Sequence, residues 1–270
     1  MEVNRSGYYR YVKLLTVIRE SDTLEKKMVF EMRVLHAQTR QSYGTRRMSH
    51  SMQKKGYQVG RYKIRRLMRE SGIQCKQRRR YRITTMSLHN LPVAENKLDR
   101  NFTVLIPNKV WVADITYLWT LEGWLYVAAV VDLFSRRVVG WAMANSMHTE
   151  LIANALKMAI ARRQPASNLM HHSDRGSQYA SQYYQELLKK LNITVSMSRK
   201  GNCWDNSVME RFFGSLKSER TDGVNYLTRR QAKDDVVEYI EMFYNSNRLH
   251  STLGYLSPAE FENKQRLVSL

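Results

Sequence analysis

Between residues 109 and 197 the sequence alternates in a way that few folds can absorb. Residues 110–119 (V-W-V-A-D-I-T-Y-L-W) are rich in β-branched and aromatic side chains, Glu122 and Gly123 mark a turn, and 124–133 is apolar on both faces. With 137–144 these make three consecutive strands. A helix is predicted over 149–163, burying Leu151, Ile152, Ala155, Leu156 and Ala159. A strand over 168–172, a helix over 177–190, a strand over 193–197 and helices over 207–220 and 229–245 come next. Three strands in succession, then helices and strands by turns, predict an α/β fold: a mixed sheet flanked by helices.

Three acids stand out against that frame. Asp114 lies inside the first strand among Trp, Ile, Tyr and Leu, where a charge is costly unless it is paired or bound to metal. Asp174, in H-H-S-D-R-G-S-Q-Y, comes just after a strand end, where ligand sites of open α/β sheets gather. Glu210, in D-N-S-V-M-E-R-F-F-G-S-L-K, sits in the first turn of a helix, and thirty-five residues separate it from Asp174. Lys217 is two helical turns further on, on almost the same face, where a cation can hold phosphate. Simpler roles compete: Glu210 is also placed to close a capping box with Ser207, and Asp174 to cap the next helix. Asp132 and Asp205 read as a turn and a loop or cap residue. His171 and His172, adjacent in a strand, point to opposite faces and do not favour a zinc site.

Charge says which partner such acids serve. The 270 residues carry 44 Lys and Arg against 24 Asp and Glu, a formal net charge of +20, which fits a polyanionic partner. Carboxylates repel phosphate, so acidic motifs in a basic chain point past binding to phosphodiester chemistry with a hard cation on oxygen ligands. No apolar run approaches the ~20 residues of a membrane helix, no signal peptide is evident, and two cysteines, Cys75 and Cys203, cannot build a disulfide framework. A cytoplasmic location without membrane contact is the expectation.

Residues 1–100 hold 24 of the basic residues and 8 of the acids, so the first third is the phosphate-binding part by charge. A basic helical region is predicted over 1–75, a basic linker over 76–108 containing Arg78, Arg79 and Arg80, and a catalytic core with C-terminal helices over 109–270. Helices are expected over 8–20 and 23–37. Two more, about 45–54 and 60–71 with the turn 55–59 between them and Gly72 as the stop, have the layout of a helix-turn-helix. On the second, Ile64, Leu67 and Met68 form an apolar seam, while Arg61, Arg65, Arg66 and Arg69 supply the basic, DNA-binding candidates.

The motifs W-V-A-D-I-T-Y, V-V-D-L-F-S-R-R-V-V-G-W, H-H-S-D-R-G-S-Q-Y, S-R-K-G-N-C-W-D-N-S-V-M-E-R-F-F-G-S-L-K and Y-N-S-N-R-L-H-S-T-L-G-Y-L-S-P-A-E-F, covering about 109–262, resemble those of DDE recombinases. More narrowly, the chain resembles the second-frame (OrfB) transposases of the IS3 family of insertion sequences. The segment Y-G-T-R-R-M, residues 43–48, together with the residues after it, resembles that family's helix-turn-helix. The resemblance implies an RNase H-like fold, with Asp114, Asp174 and Glu210 as catalytic ligands of two Mg²⁺ ions (Mn²⁺ as the alternative) and Lys217 on DNA beside them. It implies cleavage and strand transfer on double-stranded DNA, at element ends and target. It further implies a homo-oligomer on DNA in the bacterial cytoplasm, associated with the nucleoid, and an upstream first-frame protein or frameshift fusion as partner. No His-His-Cys-Cys module precedes the core, so zinc-dependent assembly is not implied.

Two other classes of function remain open at this point: a DNA-binding modulator that occupies element ends without cutting, and a structure-specific nuclease on the same fold.

Overall fold

The computed structural model describes residues 4–76 and 91–268. The chain divides into two compact units, residues 1–77 and 78–270.

The first unit is all helical. Helix α1, Arg5–Gln38, is one continuous element where two helices, 8–20 and 23–37, are expected from sequence. Ser21 and Asp22 lie between the two expected helices, and each tolerates a helix interior at a cost of ~0.5 kcal/mol. Asn4 caps α1 by accepting from the Ser6 amide. Helices α2, Thr45–Lys54, and α3, Arg61–Glu70, flank a turn in which Gly56 takes a positive φ of 88°. Met28, Met32, Met48, Met52, Ile64 and Leu67 are buried and lock the three helices together.

The second unit is built on strands β1 (Val110–Thr120), β2 (Gly123–Asp132), β3 (Val138–Ala144), β4 (Met170–Ser173) and β5 (Thr194–Met197). They form one mixed sheet in the order β3-β2-β1-β4-β5. The β1–β2 and β2–β3 pairs are antiparallel; the β1–β4 and β4–β5 pairs are parallel. Helices α4 (Thr149–Arg163), α5 (Gln182–Lys190), α6 (Ser207–Leu216), α7 (Arg229–Glu238) and α8 (Pro258–Val268) complete the unit. This is the RNase H-like, mixed α/β arrangement expected.

Strand alternation sorts the apolar residues into two layers. Val112, Leu118, Leu125 and Val127 pack with Phe212, Phe213 and Leu216 of α6 and with Val236 of α7. Trp111, Ala113, Ala128 and Val130 pack with Leu151, Ile152 and Leu156 of α4 and with Tyr184 and Leu188 of α5. Gly140 is what lets α4 lie so close to β3: a Cβ there would stand 2.2 Å from the Ala155 carbonyl oxygen.

Several boundaries differ from the sequence reading. Helix α5 starts at Gln182 rather than 177, because the Ser181 side chain caps it by accepting from the Tyr184 amide. Helix α6 gives way at Lys217 to a wider π-type segment, Lys217–Thr221, and α7 likewise runs into one at Tyr239–Tyr244. Within the stretch read as a linker, residues 91–108 belong to the sheet unit: Leu98 is buried, and the amides of Lys97 and Leu98 both donate to Ser196 Oγ. Helix α8 has no counterpart in the sequence reading; its Glu262 accepts from Ser135, Arg137 and Arg163. Among the described residues, no helix is long and apolar enough to cross a membrane.

Candidate active site

The parallel pairing of β1 with β4 sets Ala113 opposite Ser173. The next residue on each strand is an acid, Asp114 on β1 and Asp174 just past the end of β4. Local backbone bonds fix both carboxylates: Asp114 Oδ1 accepts from the Ile115 amide at 2.7 Å, and Asp174 Oδ1 from the Gly176 amide at 2.9 Å. Both line one cavity of about 440 Å³. Glu210, exposed in the first turn of α6, is close enough for its charge to act on Asp114. Burial first, then the charges of Asp174 and Glu210, push the Asp114 carboxyl well above its ordinary range, against the opposing pull of the Ile115 amide and Lys217.

Lys217 opens the π-type segment after α6 and lies over the Tyr117 ring, 5.1 Å from its centroid. Burial lowers its pKa, while Asp222 and Asp114 act to keep it charged. Its charge acts on Asp114, although α6 has already changed its winding before Lys217.

Two residues just before α6 tie it to the sheet, Asn206 by its side chain and Asp205 by its backbone carbonyl. Asn206 donates to the carbonyl of Ala113 at 3.3 Å, one residue before Asp114. Asp205, fully buried, accepts from the side chains of Asn96, Arg100 and Arg199 and from the Arg199 amide. Hydrogen bonds from Arg199, with Arg100 adding to them, hold its carboxyl well below the ordinary range. The backbone carbonyl of Asp205 meets His172 Nε2 at 3.1 Å, and His172 Nδ1 meets Ser196 Oγ at 2.9 Å. His171 turns the other way, to the Tyr184 hydroxyl. Burial lowers His171 to about 3 and His172 to about 4, so both are neutral at physiological pH.

Neither simpler role for the acids takes the form the sequence allowed. The N-cap of α6 is Asn206 rather than Ser207 and makes no side-chain cap bond, and Ser181 caps α5 in place of Asp174. Asp132 does act as a turn residue, accepting from the amides of Asn108 and Phe134.

Asp114, Asp174 and Glu210 offer the all-oxygen donor set that hard divalent cations prefer, and the burial that raises the Asp114 carboxyl, together with the Asp174 and Glu210 charges, is a cost that a bound cation would offset. Among the described residues, no three His, Cys, Asp or Glu side chains are drawn together tightly enough to enclose an ion. The set is thus a formed Asp114–Asp174 pair with Glu210 standing on the neighbouring helix.

Sequence reasoning missed Tyr117, Trp124 and Tyr126 as cavity walls, and Asn206 as a tether. The cross-strand pairing of aromatics on β1 and β2 was the available signal for the first group. Asn206 stands beside a predicted helix start, but its partner lies 93 residues away.

In the helical unit, Arg61, Arg65 and Arg69 are exposed on α3. Arg66 is engaged by acids of its own unit, Glu25 at 2.6 Å and Glu70 at 3.2 Å. Arg78, Arg79 and Arg80 lie outside the described residues.

Models of known families match along the chain: an integrase core domain over residues 105–203 and again over 210–266, and an HTH-like domain over 23–81. The chain is 45% identical over 262 residues to the insertion element IS600 uncharacterized 31 kDa protein of Shigella sonnei, covering 97% of this chain and 96% of that protein. It is 39% identical over 264 residues to the transposase InsF for insertion sequence IS3A of Escherichia coli (strain K12), covering 98% and 92%. The chain belongs to the IS3-family transposases. This transposase is accordingly a polynucleotidyl transferase whose partner is DNA, with an HTH-like domain and an integrase core. Among solved structures, a chain of the simian T-cell lymphotropic virus intasome in complex with PP2A regulatory subunit B56 gamma is similar at 18% identity, with a TM-score of 0.49, covering 85% of the transposase and 73% of that chain.

Proposed function

We propose that the transposase cuts and joins DNA at insertion-sequence ends through Asp114, Asp174 and Glu210, in a metal-dependent DDE reaction. The observation that carries this reading is the Asp114–Asp174 pair, set on neighbouring strands by the parallel pairing of β1 with β4 and sharing one cavity within reach of the Glu210 charge. A protein that only held DNA would gain nothing from such repulsion.

Two Mg²⁺ ions, or Mn²⁺ in their place, bound by these carboxylates would activate the attacking oxygen and steady the leaving 3′ oxygen. Asp114 and Asp174 supply donors fixed by their own backbone bonds, and Glu210 brings its donor from α6. Lys217 faces the same neighbourhood with a cation for a non-bridging phosphate oxygen. In cleavage, water attacks phosphorus, the bond to the 3′ oxygen breaks and that oxygen leaves with a proton. In strand transfer, the freed 3′-OH attacks a second phosphodiester, so one P–O bond forms for each one broken.

On the same reading, the helical region up to about residue 75 holds DNA through α3, where Arg61, Arg65 and Arg69 are exposed, and Arg78 to Arg80 extend that contact. Two element ends must be held together, which calls for a homo-oligomer on DNA. The first-frame protein, separate or fused by frameshift, is the partner that would supply further end recognition.

Incubating the full chain with Mg²⁺ and a labelled duplex carrying the end of its own element tests the assignment. Asp114→Asn and Asp174→Asn are expected to bind that duplex as the native chain does and to leave it uncut. Cutting by either variant at the native rate removes the acid from the catalytic set.

A further inference from the structure

The carboxylate cavity has a wall that the chemistry above does not use. β1 and β2 pair Tyr117 directly opposite Tyr126, and Trp119 opposite Trp124. The rings pack edge to face: Tyr117 on Trp124 at 4.9 Å between centroids, Trp119 on Trp124 at 4.8 Å, and Tyr117 on Tyr126 at 6.4 Å. Tyr117, Trp124 and Tyr126 line the same cavity as Asp114 and Asp174. The ladder is not closed over. Trp119 is 56% exposed and Trp124 42%, a large apolar surface for a hairpin to present to water. Ile115 and Met147 add apolar surface to the cavity, and Ser177 and Gln178 add polar groups. The Gln178 amide lines it, and the Tyr179 hydroxyl beneath is buried with no hydrogen-bond partner.

We propose that this wall is a nucleobase site, where a base next to the scissile phosphate leaves the duplex stack and lies against Trp124 and Tyr117. The inference rests on the catalytic reading of the acids and deepens it. A half-exposed indole face with hydrogen-bonding groups near it suits a base, whose two faces are apolar and whose edge is polar; stacking of this kind tolerates any sequence. Position selects this occupant over a protein surface. A phosphodiester held at Asp114 and Asp174 brings its flanking nucleotides into the cavity that these rings wall. Lys217, over Tyr117, sets a positive charge beside the rings for the strand that carries the base. Unstacking a base has a cost, which falls at frayed or mismatched positions. The wall therefore directs the reaction to DNA whose terminal pairs open readily.

The test uses the full chain and the element-end duplex, with 5-iododeoxyuridine placed singly at each position flanking the scissile phosphate. Long-wavelength irradiation is expected to cross-link one position to the peptide containing Tyr117–Trp124, in native protein and in Asp114→Asn alike. In parallel, Trp124→Ala should slow cleavage about tenfold on intact DNA, and Trp124→Phe should recover most of the rate. With an abasic site at the cross-linking position, native and Trp124→Ala should cut equally slowly. Cross-links elsewhere from bound DNA, or an equal loss for Trp124→Ala on intact and abasic DNA, would overturn the nucleobase site. If the cross-link forms but Asp114→Asn cuts like the native chain, the catalytic reading fails while the base site stands. If the native chain sheds its cross-links as it self-associates, the aromatic wall is an interface between copies and the proposal is wrong.

Discussion

The Asn206 side chain donates to the Ala113 carbonyl at 3.3 Å, which ties the start of the helix carrying Glu210 to the strand carrying Asp114, one residue from that acid. The bond runs from the residue just before α6 to the central strand, next to Asp114.

Replacing Asn206 with Ala separates this positioning role from stability. The variant loses one hydrogen bond but also a buried Oδ1 that has no partner, so unfolding free energy should change by no more than ~1 kcal/mol. Cleavage should fall tenfold or more, because sub-ångström placement governs reactions of this kind. Thermal melting and single-turnover cleavage on one preparation give both numbers; a native cleavage rate would show that the tether is dispensable.

Asp205 makes folding depend on pH. Its carboxyl is held below the ordinary range by Arg199 and Arg100, so its contribution is complete above the unfolded-state value, about pH 4. It is lost as pH falls from there through the lower, folded-state value. At pH 7 the native protein should therefore melt above Asp205→Asn, and the gap should narrow steadily below about pH 4. A gap that stays constant between pH 7 and the acid limit would rule out the ion pairs as its source.

Glu219 and Arg248, both buried, form an ion pair at 2.6 Å, and the Tyr239 hydroxyl also donates to that carboxylate. Arg248→Met leaves the Glu219 charge buried without its cation and should cost ~3–5 kcal/mol. Adding Glu219→Gln should restore part of that loss. Chemical denaturation of the two variants decides the matter, and a mild effect of Arg248→Met alone would contradict the account.

Arg65 and Arg66 are adjacent on α3 but differ in what they touch. Arg65 is exposed, whereas Arg66 is held by Glu25 and Glu70. Arg65→Ala should weaken DNA binding at low salt and reduce the salt slope by about 1. Arg66→Ala should change that slope less. Equal slopes for the two variants would place both on phosphate.

The sequence made local features readable and distant partners unreadable. Strand β1 could be recognised from its β-branched and aromatic run, and Asp114 drew attention because a carboxylate has no business in it without compensation. Gly56 and Gly72 marked the turns around α2 and α3 because glycine takes a positive φ without steric cost, as both do here. Asp205 looked like a loop residue because its partners Asn96 and Arg100 are more than a hundred positions away. The Glu219–Arg248 pair spans 29 positions and the grip of Glu262 on Arg163 spans 99, and α8 went unread with them. The change from α to π winding after Leu216 left no mark in the apolar periodicity, since the buried pair Phe212 and Phe213 continues smoothly to Leu216.

The measurement that bears most directly on the catalytic reading is joining. Native chain and Glu210→Gln are each incubated with Mg²⁺, labelled element-end DNA and a second duplex, and the products are resolved by length. Joined product from the native chain and none from Glu210→Gln, with equal DNA binding by both, is the predicted result. Equal joining by both proteins, or cutting by the native chain that never yields joined DNA, would contradict it.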